Sequence, residues 1–154
     1  MNPYNGFTGD QRNRAQRWLN SQWAAGHFPR PAQCCACGQA DGIIDAHAED
    51  YSEPFRHGKT DQYPLCFVCH MMVHCRFKNP AAWDRYRELI GRGCRPMAFA
   101  TRNFPRFASM YLGATMLPEH WTKHAAPIRR YLDGINGRSG TPPAPAKPHS
   151  HIAG

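Results

Sequence analysis

Cys34-Cys35-Ala36-Cys37 and Leu65-Cys66-Phe67-Val68-Cys69-His70-Met71-Met72-Val73-His74 are the stretches that decide the fold of this chain. Each Cys-x-x-Cys spacing lets a tight knuckle aim two sulfurs at one ion. The 28 residues between the pairs are enough for a strand and a loop that bring the chain back. Cys34, Cys37, Cys66 and Cys69 are therefore expected to form a closed tetrahedral zinc site, which is structural because four thiolates leave no open position. A rival set of two cysteines with His70 and His74 is weaker, because the adjacent Cys69 and His70 diverge by about 100° on a helix. His70 and His74 lie one helical turn apart and can grip a different cation, although histidines at this spacing also occur as ordinary core or surface residues.

Working outward, Gly42 to His47 reads as a short strand after an Asp-Gly turn, with Ile43, Asp45 and His47 on one face. Glu49 through Gln62 reads as a loop, Tyr63-Pro64-Leu65 as the lead into the second knuckle, and a helix is expected from about Phe67 to Arg76. Thr8 or Asp10 can cap an earlier helix that runs to about Ala25 and stops at Gly26. Its apolar positions are thin and its arginines plentiful, so it lies on the domain surface or rests against DNA. Asn79-Pro80 starts a further helix that Gly91 or Gly93 stops. Helices are also expected from Asn103 to Leu112 and from Pro118 to Leu132. Eight of the last 21 residues are Gly or Pro, so a disordered tail is expected beyond Gly134.

The chain has 154 residues, 42% hydrophobic with seven cysteines included, so the apolar core is modest and a structural metal would offset the shortfall. Nineteen Lys and Arg against eleven acids give a formal charge of +8. That charge fits a solvated basic face or a polyanion partner. Arginine interleaved with aromatics, as in Arg102-Asn103-Phe104-Pro105-Arg106-Phe107, favours nucleic acid. No run of about 18 apolar residues is present, so no membrane span is expected. The N-terminus lacks a secretion-signal layout, and cysteines at metal-ligand spacing point to a reducing compartment, with cytoplasm as the expected location. Cys35, Cys75 and Cys94 are expected to be buried thiols.

A strand histidine, a loop and a helix carrying histidines resemble the HNH, or ββα-metal, endonucleases, in particular members with two zinc knuckles. The residues that carry the resemblance are Cys34-x-x-Cys37-Gly38, His47-Ala48-Glu49-Asp50-Tyr51-Ser52-Glu53-Pro54 and Leu65-Cys66-x-x-Cys69-His70-x-x-x-His74, within residues 34–78. The resemblance implies a strand histidine as general base and one divalent ion, magnesium or a transition metal, held partly by the helix histidines. Carried over, His47 is the base and His70 and His74 are ligands. Such members pair the base with an adjacent ligand, whereas His47 stands between Ala46 and Ala48. Either His47 is the base and Asp45 or Asp50 completes the metal shell, or Ala48 occupies the base position, His47 is a ligand and the chain is inactive. The family's orienting asparagine is also missing, with Asp61 or Gln62 in its stretch.

The expected architecture is α+β: a zinc-stapled ββα-metal core at residues 31–92, a basic helix in 1–30, a helical extension at 93–133 and a tail at 134–154. The expected function is metal-dependent cleavage of duplex DNA by a restriction- or phage-type enzyme. A zinc-stabilised DNA-binding module without catalysis is the alternative, and an RNA-binding zinc protein is a third reading. DNA contacts are expected from Arg12, Arg14, Arg17, Arg102 and Arg106, with Arg129 and Arg130 as further candidates. Cutting both strands with one site per chain favours a homodimer.

Overall fold

The computed structural model describes residues 1–55, 62–113 and 121–123. Among these residues the fold is mixed α+β, with four helices and two small antiparallel sheets. The order is α1 (Gly9–Ala24), β1 (Ile44–Ala48), β2 (Gln62–Cys66), α2 (Phe67–Cys75), α3 (Pro80–Gly91), β3 (Cys94–Pro96), α4 (Phe104–Tyr111) and β4 (Trp121–Lys123).

Local chemistry sets most of these boundaries. Thr8, rather than Asp10, caps α1 through a capping box: its hydroxyl accepts from the Gln11 amide at 3.2 Å, and the Gln11 side chain accepts from the Thr8 amide at 2.8 Å. Asn79 and Asn103 cap α3 and α4, each with a proline in the first turn. α2 has no side-chain cap and grows directly out of β2 at Cys66, so the second cysteine knuckle is the joint between strand and helix.

β1 and β2 pair antiparallel, with Ile44 opposite Cys66 and His47 opposite Tyr63. The Tyr63-Pro64-Leu65 lead-in is thus part of a strand despite its proline. The Pro64 carbonyl accepts from the Cys35 amide at 2.8 Å on the outer edge. The nitrogen of the same residue faces that edge too, so the ladder to β1 loses no donor. Gly42, at φ 73°, makes the turn before β1, and a Cβ there would collide with the Phe99 carbonyl oxygen. That close approach lets Ile43 donate to the same oxygen at 2.8 Å.

The main core gathers Leu65, Phe67, Val68, Met72 and Val73 of β2 and α2 with Tyr86 and Ile90 of α3, then Phe99, Phe107, Tyr111 and Trp121. Residues on both sides of position 92 therefore share one packed interior. A smaller cluster of Tyr4, Ala15, Ala48 and Tyr51 ties α1 to β1. Cys35, Cys75 and Cys94 are only partly buried, contrary to expectation.

The expected Pro118–Leu132 helix is corrected at its three described residues. Trp121–Lys123 is strand β4, paired with β3 so that Cys94 faces Lys123. The Trp121 ring packs 5.6 Å from that of Tyr111 and 6.1 Å from that of Tyr86, and this burial sets the local conformation. The rest of that span, the tail beyond Gly134, and Asp61, Arg129 and Arg130 lie outside the described residues. No helix among the described residues is long and apolar enough to cross a membrane.

Candidate functional site

Cys34, Cys37, Cys66 and Cys69 converge, each buried, with their sulfurs all within 4.8 Å of one another. The Cys37 and Cys66 sulfurs stand 3.7 Å apart. Two thiolates on one tetrahedral zinc at the usual bond length are separated by about 3.8 Å, so the cluster suits a metal such as zinc. The first knuckle is shaped by turn hydrogen bonds, Gly38 N to Cys34 O at 2.9 Å and Cys34 N to Gln39 O at 2.8 Å. Burial alone would push the Cys34 thiol up, but hydrogen bonds from Cys37, Cys66 and Cys69 outweigh it and hold Cys34 low. Cys66 is raised because it bonds to Cys34, and Cys69 because it is buried. Beside the cluster, burial and the Cys34 charge push the Cys35 thiol up to about 12.

A second, separate group forms from His47 on β1 and His70 and His74 on α2, with their ligand atoms also within 4.8 Å of one another. The Nε2 atoms of His70 and His74 lie 3.1 Å apart. Two imidazoles on one tetrahedral ion would place their nitrogens about 3.3 Å apart. Cys69 and His70 therefore belong to different groups, as their divergence on a helix requires. Burial, followed by the neighbouring His70, His47, Arg12 and Arg76, lowers the His74 pKa to about 2. Burial also lowers His47, to about 4, against the pull of Glu49. Both rings are thus neutral near pH 7, the form that ligates a cation.

Carboxylates stand behind two of the three rings. Asp45 accepts from His70 Nδ1 at 3.1 Å and is also held by Arg102. That contact places the His70 proton on Nδ1 and turns Nε2 toward His74. Burial raises the Asp45 carboxyl, but His70 and Arg102 outweigh it and lower its pKa. Glu49 lies 2.6 Å from His47 Nε2. Its two oxygens take a guanidinium fork from Arg76 at 3.0 and 2.6 Å. Tyr4 and Asn5 donate to it as well, each at 3.0 Å. Burial raises the Glu49 carboxyl, but the bonds from His47 and Arg76 outweigh it and hold its pKa at about 2.

Among the residues singled out from the sequence, Asp50 does not reach the histidines. It is exposed, and its Oδ1 accepts from the Ser52 amide at 2.8 Å and hydroxyl at 2.6 Å. Asp45 sits behind His70 rather than among the converging donors. Gln62 pairs with Ala48 and not with His47, so Glu49 is the residue that orients the His47 ring. Glu49, Arg76, Tyr4 and Asn5 were not read as site residues. For Glu49 a signal was available, since the two-residue period of a strand carries the face of Asp45 and His47 on to position 49.

The expected arginine contacts divide. A cleft of about 530 Å3 lies between α1 and β1, and Arg12 and Arg102 line it together with Asp45 and His70. Arg12 is held 5.2 Å from both the Tyr4 and Tyr51 rings. Arg14 pairs loosely with Glu53 at 3.4 Å, Arg17 is exposed on α1, and Arg106 lies over Phe99 at 5.3 Å.

Comparison with protein-family models, with characterised proteins and with solved structures finds no match to this chain.

Proposed function

We propose that this protein is a metal-dependent nuclease that hydrolyses DNA phosphodiester bonds, with zinc in the four-cysteine cluster and a second divalent ion, magnesium or a transition metal, at His47, His70 and His74. One observation carries the reading: three histidines from a strand and a helix converge beside a basic cleft, two of them backed by carboxylates. The resemblance to HNH endonucleases in the cysteine and histidine motifs supports the same reading.

The geometry favours His47 as a ligand over the general-base role expected first. Its side chain is fully enclosed and its Nε2 is engaged by Glu49, whereas a base must reach the water it deprotonates. A divalent ion held by the three histidines would supply Lewis-acid charge at a phosphate oxygen and acidify a nearby water. Asp45 and Glu49 keep His70 and His47 in fixed orientations and hold their protons away from the converging nitrogens. Arg12 and Arg102 bring positive charge to the cleft in which a phosphate would lie.

Ala48 favours the second reading, a DNA-binding module that has lost catalysis. In the family resemblance the residue after the ligand is the base, and here it is an alanine packed with Ala15 and Tyr51. The test is incubation of the zinc-loaded protein with plasmid and magnesium, manganese or nickel. Cutting that disappears in His70→Ala supports the nuclease. Absence of cutting under every ion, with zinc intact, overturns it. Cutting gained only in Ala48→His establishes the degenerate module.

A further inference from the structure

Tyr86 belongs to the core stripe of α3 with Trp83 and Ile90, and its side chain is fully enclosed. Its hydroxyl makes no hydrogen bond of ordinary geometry among the described residues. A phenylalanine would pack there as well and leave no polar group to desolvate. Buried polar atoms are rarely left without a partner. The adjoining rings do not supply one: Trp83 is stacked at 5.3 Å and Trp121 lies at 6.1 Å, and an indole nitrogen only donates.

The groups beside the hydroxyl are sulfurs. Tyr86 shares the main core with Cys34, Cys37, Cys66 and Cys69. Burial pushes its phenol pKa well above the ordinary range, and charge on Cys69 and Cys34 and a hydrogen-bonding contact with Cys69 push it further. A contact that raises a phenol's pKa is one in which the phenol keeps its proton and donates. A neutral thiol is a weak acceptor, so the hydroxyl gains little from it. A metal-bound thiolate is charged and accepts strongly.

We propose that Tyr86 is a supporting residue of the four-cysteine site, its hydroxyl donating to the Cys69 thiolate when a metal is bound there. The inference rests on a metal in that cluster and not on the nuclease reading. Four thiolates on one divalent ion leave excess negative charge, and Cys69 lies wholly inside the protein, away from water. Donors from the protein must therefore offset the charge. The Cys66 backbone serves Cys34 in this way, and Tyr86 serves Cys69 from a second helix. Hydrogen bonds to ligating atoms strengthen metal binding and tune the ligand's electrons. Through its hydroxyl, Tyr86 ties α3 to the ion that anchors the start of α2.

The experiment compares the full chain with its Tyr86→Phe variant, each loaded with cobalt for spectroscopy and with zinc for competition against a chromophoric chelator. Tyr86→Phe is expected to hold zinc roughly 10-fold or more weakly, the scale for losing such a partner. Its sulfur-to-cobalt charge-transfer band should move to longer wavelength, because the sulfur electrons are no longer held by the hydroxyl proton. A purely packing role for the ring would leave that band in place. Wild-type zinc affinity with an unmoved band overturns the proposal, and a rise in thermal stability alongside them would mark the hydroxyl as an unsatisfied core group. If Tyr86→Phe does not fold, wild type loaded with an NMR-active cadmium isotope decides: a Tyr86 hydroxyl proton coupled through its hydrogen bond to the metal supports the proposal, and one without that coupling overturns it. A wild-type chain that shows no sulfur-to-cobalt band removes the metal reading and the proposal together. A band shared unchanged by wild type and variant removes the role of Tyr86 alone.

Discussion

Asp45 and His70 are joined across β1 and α2 by a 3.1 Å contact between Oδ2 and Nδ1, and this contact determines which His70 nitrogen faces His74. A carboxylate behind a ligating imidazole fixes its ring and raises its basicity. Asp45→Ala should therefore weaken cation binding at the histidines by roughly 10- to 100-fold while leaving the cysteine site loaded. Calorimetric titration of nickel into the zinc-loaded variant checks this, and wild-type affinity would speak against the arrangement.

Glu49 and Arg76 form a buried pair with 2.6 Å between Nη2 and Oε2. Removing one member of such a pair strands a charge away from water and costs about 3–5 kcal/mol. Glu49→Ala is expected to show a loss of that size in guanidinium unfolding. The double variant Glu49→Met with Arg76→Met should lose much less, because no charge remains buried. A fall below about 1 kcal/mol for the single variant would contradict the role given to the pair.

Gly42 and Gly26 both adopt positive φ, at 73° and 72°. Only Gly42 faces a close backbone neighbour, the Phe99 carbonyl, whereas nothing lies within 4 Å of a Cβ at Gly26. Gly26→Ala should cost about 1–2 kcal/mol from backbone strain alone. Gly42→Ala should cost more, because the turn that brings Ile43 to Phe99 must also move. Thermal unfolding of the two variants side by side decides it; equal losses would contradict the close approach.

Much of this architecture was legible in the sequence, and the failures have local causes. The cysteine spacings located the cluster that joins the first knuckle to the start of α2. Thr8, Asn79 and Asn103 marked three helix starts through short-range capping, which needs no tertiary knowledge. β2 was concealed because Pro64 reads as a strand breaker, and only the edge position shown by its bond to Cys35 makes it acceptable. β4 was concealed because Trp121 takes its conformation from Tyr86 and Tyr111, contributed by distant segments. Asp50 was expected at the metal because it is near His47 in sequence. Strand alternation excludes it and selects Glu49, whose partners Tyr4 and Arg76 lie 45 and 27 residues away.

The four-cysteine cluster should carry a large share of the stability, because it joins the first knuckle to the start of α2 inside the main core. Structural zinc in small domains contributes about 10–16 kcal/mol of apparent binding free energy. Stripping the metal with a strong chelator, or making Cys69→Ser, should abolish the cooperative thermal transition seen by far-UV circular dichroism. Retention of the wild-type transition after complete metal loss would argue against a structural role.

The central claim is that the chain holds two separate cation sites, one of cysteines and one of histidines. The most direct test is calorimetric titration of nickel into zinc-loaded wild type and His74→Ala, with zinc content measured before and after. The account predicts one further ion bound per wild-type chain, none of comparable affinity in His74→Ala, and unchanged zinc in both. Saturation with the cysteine-bound ion alone, or equal nickel binding by His74→Ala, would contradict it.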